Sequence, residues 1–244
     1  MKFSIKVSLL LLYPVFVFVA ACGTENPGND TDDDGESDVT VEYYPIEVDA
    51  FWKYRETATG STPIDLTYTI TKKETMDFEG ETGEREVFFM ENTFDLNAER
   101  RIQFIEDDGV QVVRHGHEVY DDTGLTKTRF YTPGFLRFDR SKVKAGEEWT
   151  QTVSAVTDTL EVDENGDYDD SGKYTEEMTY AFKVNAVGTP VTIDLGTFNC
   201  IEIERENTTE PETKIYWYAP DIGKIKELTV DSGKVEELVD SSYF

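Results

Sequence analysis

The feature of this chain that most constrains its fold is a two-residue alternation of apolar and polar side chains. The alternation recurs in many segments, as in Ile201-Glu202-Ile203-Glu204, and these segments are bounded by Gly, Asp and Asn, as at Asp231-Ser232-Gly233. This period is typical of half-buried strands, and such boundaries are typical of tight reversals. The sequence therefore predicts antiparallel β structure throughout. The candidate strands are Phe51–Thr57, Ile64–Glu74, Arg85–Phe94, Arg100–Glu106, Val110–Tyr120, Thr126–Thr132, Glu148–Val162, Tyr174–Val187, Val191–Leu195, Phe198–Arg205, Lys214–Tyr218, Lys224–Val230 and Lys234–Leu238.

Helical signals are scarce by comparison. After residue 40 no segment keeps a 3.6-residue apolar period over three turns, and a modest helical pattern occurs near Asp139–Val143. No repeat of fixed length is present beyond the hairpin spacing, which disfavours a propeller or a solenoid. The length of residues 41–244 suits one large all-β domain with little helix.

The amino terminus has the pattern of a secretory signal. Lys2 and Lys6 precede an apolar run, Val7–Val19, and the small residues Ala20 and Ala21 stand directly before Cys22. A charged start, a short apolar segment and small residues before a cleavage point are typical of a signal peptide. The Cys after Val-Ala-Ala resembles the lipobox of bacterial lipoproteins. The resemblance implies that residues 1–21 are removed and that Cys22 is acylated and anchors the protein in a lipid bilayer.

Two other interpretations of this segment are weaker. A transmembrane helix needs about 20 apolar residues, and the run from residue 7 to residue 21 is shorter than that and has no basic residues after it. An ordinary signal peptide with an incidental Cys would not explain the following stretch, residues 22–40, which is rich in Asp, Gly and Asn. Such a composition predicts a disordered tether.

The chain is strongly acidic. It carries 51 acidic and 23 basic residues, for a net charge of −28. Loss of Lys2 and Lys6 with the signal would bring the net charge to −30. A chain this acidic repels polyanions, so nucleic-acid binding is excluded as a function class. A solvated acidic surface also explains the composition without a specific cation-binding role.

Cysteine usage excludes an internal disulfide. The two cysteines are Cys22 and Cys200, and acylation of the first leaves the second without a partner. A catalytic thiol would need a nearby base in an electropositive pocket, and the sequence shows neither beside Cys200. A buried structural thiol is therefore the prediction, and no catalytic residue or enzymatic activity is expected from this chain.

Oxygen ligands at alternate positions make one candidate calcium site. Asp163, Asn165 and Asp167 match the first half of a Ca²⁺-binding loop. Tyr168 stands where such a loop needs Gly, and Tyr174 stands where it needs a bidentate Glu, so an EF-hand is excluded. The tip of an acidic hairpin explains the same residues without metal. The chain therefore calls for no cofactor, with calcium at these three residues as the alternative.

The histidines make a second metal candidate. His115 and His117 flank Gly116, and alternate residues of a regular strand share a face, so both rings could hold one Zn²⁺. A zinc site would need a third ligand that the sequence does not identify. Solvent-facing histidines beside a Gly that forms a β-bulge are the plainer interpretation.

Aromatic segments at the two ends of the domain carry a family resemblance. Tyr44-Pro45-Ile46-Glu47-Val48, followed by Trp52 and Tyr54, and the late segment 217–226 resemble a group of bacterial lipoproteins with long curved antiparallel sheets, similar to LolA/LolB-like half-barrels. The chain departs from the group at Asp49-Ala50, where Gly-Asn is usual, and at Asp221, where Gly is usual. The resemblance implies a large curved antiparallel sheet, a half-barrel or an open barrel, without catalytic residues.

The expected function follows from this fold. One face of a half-barrel must be covered, because large exposed apolar patches are uncommon on soluble domains. We expect a membrane-anchored binding module for an apolar or amphipathic ligand or an envelope partner. Gly23 rather than Asp after Cys22 favours the outer membrane. A structural envelope lipoprotein and a metal-dependent enzyme are the alternatives. The candidate ligand-binding residues, chosen by alternation, are Phe88, Met90, Phe104, Phe130 and Phe138.

Overall fold

The chain folds into a β domain. The computed structural model describes residues 42–94, 99–162, 168–169 and 172–244. The predicted all-β class is confirmed, and the described helical structure is one 3₁₀ turn, Arg140–Lys142, which lies where the sequence shows its modest helical pattern. No helix in these residues is long and apolar enough to cross a membrane. The signal peptide, Cys22, the tether and the calcium candidates Asp163, Asn165 and Asp167 lie outside the described residues.

Twelve strands form one antiparallel sheet in which almost every strand pairs with its neighbour in the chain. A separate two-stranded hairpin stands between the seventh and tenth strands. The strands are β1 (Phe51–Thr57), β2 (Ile64–Met76), β3 (Arg85–Phe94), β4 (Arg100–Asp107), β5 (Gln111–Asp121), β6 (Gly124–Asp139), β7 (Glu148–Thr159), β8 (Glu161–Val162), β9 (Tyr168–Asp169), β10 (Tyr174–Ile193), β11 (Gly196–Asn207), β12 (Glu212–Ala219), β13 (Gly223–Thr229) and β14 (Lys234–Ser241).

The sheet closes on itself, so the predicted half-barrel or open barrel is wrong. Strand β1 pairs with β2 through Trp52 and Tyr68 and with β14 through Trp52 and Ser241. Closure satisfies the backbone N–H and C=O groups that two free edge strands would expose. The pairing joins strands from opposite ends of the domain, which alternation within each strand does not specify.

One end of the barrel is covered by the segment that precedes β1. The rings of Tyr43 and Tyr44 lie 6.2 Å from the ring of Phe138, and Tyr44 also lies 5.8 Å from Tyr218. Arg140 fixes this segment through the carboxylate of Glu42, at 2.9 Å from its Nε. The aromatic start of the domain therefore acts as a plug at the end of the barrel where β1 begins.

The turns beside this plug keep a left-handed backbone without glycine. Asp49 has φ of 71° and Asp221 has φ of 60°, and they are the non-glycine residues with positive φ in the described part of the chain. Asp tolerates the left-handed region better than most residues, so the turns keep the geometry that Gly would allow.

An outer cluster covers part of the barrel wall. The loop between β2 and β3 places Phe78 against Phe104 and Val87, and Phe89 and Phe130 pack around them. This cluster is separate from the main core inside the barrel. Part of the outer face of the barrel is consequently apolar and buried.

Candidate functional site

The candidate site is a cavity of about 490 Å³ inside the barrel. Its inner part lies beside Tyr44 and Trp52, near the plug, and its outer part lies at the opposite end of the barrel, beside Phe94, Arg101 and Lys234. The side chains of Arg101 and Lys234 are each 36% exposed, so the cavity approaches solvent at that end. Tyr54, Tyr68, Met90, Tyr216 and Tyr218 are among its walls.

Charged side chains are concentrated in this cavity. A charged interior differs from the apolar lining that the sequence predicts for a ligand-binding face. Three acidic side chains reach the cavity, and the basic ones outnumber them although the protein as a whole is strongly acidic. The charged residues that line the cavity are Glu56, Arg101, Arg114, Arg137, Arg205, Lys214, Lys224, Glu227, Lys234 and Glu236.

The three lysines and three glutamates form ion pairs with one another. Nζ of Lys224 donates to Glu227 at 2.8 Å and to Glu236 at 2.5 Å. Nζ of Lys214 donates to the other oxygen of Glu227 at 2.9 Å. At the outer end, Lys234 pairs with Glu56 at 3.0 Å. The glutamates of the cavity are therefore neutralised by its lysines.

Burial makes these pairs mutually dependent. Desolvation opposes the charge on Lys224, but Glu227 and Glu236 raise its pKa well above the usual value. Desolvation likewise opposes the charge on Glu227, but Lys224 and Lys214 lower its pKa well below the usual range. Each group is charged because its partners are charged.

Arg114 lies on β5, and no carboxylate of the described residues pairs with it. Its Nη1 donates to Gln103 Oε1 at 3.3 Å and its Nη2 donates to the Tyr131 hydroxyl at 2.9 Å. Its guanidinium carbon lies 4.9 Å from the Tyr131 ring centroid and 5.2 Å from that of Phe135. Burial, followed by the charges on Arg137 and Arg205, lowers the pKa of Arg114, although an arginine keeps its charge at neutral pH.

Arg205 lies on β11 among three aromatic rings. Its guanidinium carbon is 5.6 Å from the ring centroid of Phe135 and 5.4 Å from those of Tyr180 and Tyr216. One Nη pairs at 3.4 Å with Glu212, whose side chain is 45% exposed. Stacking thus holds the guanidinium in place, while its charge is compensated by one long contact to a half-exposed carboxylate.

Arg137 lies on β6 and is the least partnered of the group. It makes no hydrogen bond and no ion pair with the described residues, although it lines the cavity. The Nε atoms of Arg101, Arg114 and Arg205 are buried and also lack a hydrogen-bond partner there. Those three Nε atoms have no accessible surface, so the N–H donors that the described residues leave free beside the cavity are those of Arg137.

The five aromatic and apolar residues expected to bind ligand are divided between two places. Met90 lines the cavity, and Phe88 and Phe138 belong to the main core inside the barrel. Phe104 and Phe130 instead belong to the outer cluster, with their rings 5.9 Å apart. The structure therefore does not bring these five side chains together on one face of the sheet.

On β4 the polar side chains face the cavity and the apolar side chains face outward, and this arrangement has a simple physical cause. Arg101 and Gln103 line the cavity, so Ile102 and Phe104, which alternate with them, face outward. Apolar residues can occupy the outer face here because the loop that carries Phe78 covers it. Alternation identifies the two faces of a strand, but burial of both faces removes the clue to which face is inside.

The histidines do not share a face, because a register shift lies between Arg114 and Gly116 in the pairing of β5 with β4 and β6. His117 pairs with Gln103 of the cavity wall. His115 lies on the outer side, 4.4 Å from the Phe78 ring, and its ring nitrogens contact Glu81 at 3.2 Å and Glu106 at 2.7 Å. A shared zinc site is therefore contradicted by the geometry.

The two histidines are also buried, at 3% and 8% exposure, rather than facing solvent. Burial, followed by the charges of Arg114 and Arg101, lowers the pKa of His117 to about 2. Among the residues that the structure describes, no three His, Cys, Asp or Glu side chains are placed to hold a metal ion.

Cys200 is a buried thiol, as predicted. Its side chain is fully buried and its Sγ lies 3.5 Å from the carbonyl oxygen of Phe198. Burial raises the pKa of the thiol to about 11. A thiol with a raised pKa is a poor nucleophile at neutral pH, so the geometry favours a packing role.

Comparison of the chain with protein-family models, with curated proteins and with solved structures found no match.

Proposed function

We propose that this protein is a lipid-anchored binding protein of the bacterial envelope that holds a small amphipathic molecule inside its barrel. Acylated Cys22 would attach it to the bilayer, and the outer membrane is the proposed location. The proposed role is binding, of a ligand or of an envelope partner, without catalysis. The single observation that carries the proposal is the cavity of about 490 Å³ between the plug and the opposite end of the barrel.

The size and walls of the cavity support binding over a purely structural role. Ligand sites for small molecules commonly have volumes of about 300–1,000 Å³ and combine aromatic walls with a few placed polar groups. A barrel with only a structural role would be expected to fill its interior with side chains at the density of a protein core. Here Tyr68, Met90 and Tyr216 leave space beside charged groups.

The experiment uses N-phenyl-1-naphthylamine, a neutral apolar dye that fluoresces when it leaves water. The purified protein begins at residue 22 and carries Cys22→Ala, so that neither the apolar signal segment nor an acyl chain requires detergent. We expect saturable binding, and we expect Met90→Trp to weaken it because a larger side chain occupies the cavity. Met76→Trp is the matched control, since Met76 packs on the outer cluster.

Two results would contradict the proposal. One is the absence of saturable dye binding together with the absence of any small molecule in native mass spectra of the purified protein, which would favour the structural alternative. The other is equal weakening by Met90→Trp and Met76→Trp, which would place the dye outside the cavity.

A further inference from the structure

The cavity contains more positive charge than its own carboxylates neutralise. Lys214, Lys224 and Lys234 account for the three glutamates through the ion pairs described above. The arginines of the cavity are not neutralised by these three glutamates. Arg101 pairs with Glu99 at 3.4 Å and Arg205 with Glu212 at 3.4 Å, and both of those carboxylates lie outside the cavity lining.

Arg114 and Arg137 have no carboxylate within ion-pair distance in the described part of the chain. Burial of an unpaired charge is unfavourable in a protein interior, and like charges that share a cavity repel. The overall charge of −28 makes the placement more informative, because cations are the minority in this chain. An anion bound among these arginines would offset both the burial of unpaired charge and the repulsion between like charges.

The aromatic rings orient these cations for that role. The ring of Phe135 contacts both Arg114 and Arg205, whose guanidinium carbons are 5.2 and 5.6 Å from its centroid. Stacking contacts use the flat faces of a guanidinium and leave its N–H groups, which lie in the plane, free to donate.

We infer that the ligand of this cavity is an organic anion, and that its carboxylate or sulfonate group binds among Arg114, Arg137 and Arg205. The inference rests on the proposed binding function and names the chemical class of the ligand. The planar fork of arginine matches a carboxylate in a bidentate geometry. The apolar part of the molecule lies against Tyr68, Met90 and Tyr216, which share the cavity.

The test compares two dyes with the same aromatic body. 1-Anilinonaphthalene-8-sulfonate carries a sulfonate, and N-phenyl-1-naphthylamine is the same molecule without it. Arg137→Gln is the principal variant, because Arg137 has no hydrogen bond to lose within the described residues and the variant should fold. We expect it to weaken binding of the sulfonate dye at least about tenfold, which is the usual effect of losing one charge-assisted hydrogen bond.

The neutral dye should bind Arg137→Gln as it binds the unmodified protein. Arg137→Lys, which keeps the charge, should restore part of the sulfonate binding, and Arg114→Gln should repeat the selective loss. Arg100→Gln is the matched control: Arg100 is 43% exposed and pairs with Glu91 away from the cavity lining, so both dyes should bind it unchanged.

The outcomes separate this inference from the proposed function. Equal effects of Arg137→Gln on the two dyes, or no effect on either, would overturn the anion site while binding of the neutral dye kept the proposed function intact. Failure of both dyes to bind the unmodified protein, together with the absence of any small molecule in its native mass spectra, would overturn the proposed function as well. Near-ultraviolet circular dichroism of each variant establishes that a lost signal is not lost folding.

Discussion

The indole Nε1 of Trp52 donates a hydrogen bond of 2.7 Å to the carbonyl oxygen of Ile222, 170 positions later in the chain. The contact joins the first strand to the turn before β13, beside the plug. The hydroxyl of Tyr54 makes a similar bond of 2.7 Å to the carbonyl oxygen of Lys224. Trp52 and Tyr54 therefore join the two ends of the domain.

The first prediction concerns Trp52, which is 5% exposed in the core. Trp52→Ala should lower the free energy of unfolding by about 3–5 kcal/mol, because it leaves a cavity and removes the bond to Ile222. Trp217→Ala is the control, since Trp217 is only half-buried and bonds to the carboxylate of Glu202. Urea unfolding of both variants measures the difference, and an equal loss would contradict the assignment of Trp52 as the anchor.

The second prediction concerns the buried ion pairs of the cavity. Lys224→Met leaves Glu227 and Glu236 without their shared cation and should destabilise the protein by about 3–5 kcal/mol. Lys53→Met is the control, because the pair of Lys53 with Asp65 involves a lysine that is 37% exposed; it should change the stability by less than about 1 kcal/mol. Thermal unfolding at neutral pH would show the contrast, and a mild effect of Lys224→Met would mean that water reaches these glutamates.

The third prediction is a pH dependence that arises from His117. Its pKa is about 2 in the folded protein and about 6.5 in an unfolded chain, so the unfolded state binds the proton first as the pH falls. The stabilisation is present above pH 6.5 and is lost progressively toward the folded pKa, by about 1.4 kcal/mol for each pH unit.

His117→Gln removes this titration. Between pH 6.5 and pH 4.5 the free energy of unfolding should therefore fall more steeply in the unmodified protein than in the variant. The difference between the two proteins cancels the contribution of the carboxylates that they share. Parallel pH profiles from urea titrations would show that His117 is not held neutral.

The fourth prediction uses the left-handed turn at Asp49, where φ is 71°. Asp49→Gly should raise the stability by up to about 1 kcal/mol, because Gly adopts this conformation without the clash of a Cβ. Asp49→Val should lower the stability, since a β-branched residue resists positive φ. A lower melting temperature for Asp49→Gly than for Asp49→Val would contradict this account of the turn.

The fifth prediction concerns the proposed anchor. Cys22→Ala should abolish labelling of the protein by radioactive palmitate in growing cells, because acylation needs the sulfur of that residue. Cys200→Ala is the control and should leave the labelling unchanged, since that thiol is buried in the barrel. Continued labelling of Cys22→Ala would overturn the lipoprotein assignment.

Most strands follow from local pattern alone. The predicted bounds of Phe51–Thr57 and Arg85–Phe94 are those of β1 and β3. The break predicted near Gly188 is wrong, because β10 continues through it to Ile193 with register shifts in its pairing to β11. A Gly-Thr-Pro sequence marks a turn in isolation, but pairing with a long neighbouring strand accommodates it as a bulge.

Part of the candidate site also has a signal in the sequence, carried by charged residues rather than apolar ones. Arg205 continues the alternation of Ile201 and Ile203, and Lys214 continues that of Tyr216 and Tyr218, so each charge shares a face with buried residues. Arg114 could not be found in this way, because the irregularity beside Gly116 shifts its strand out of phase. Bulges depend on how two strands meet and leave no reliable mark in either one.

The sequence by itself determined the class of the protein: antiparallel strands, their approximate bounds and the scarcity of helix. These features depend on contacts between residues near in the chain, and each strand reports its own period. Only the tertiary structure decided that β1 meets β14, that an outer loop buries Phe104, and that Arg114, Arg137 and Arg205 converge inside the barrel. Those outcomes depend on distant strands packing together, and alternation within a strand carries no information about its distant partners.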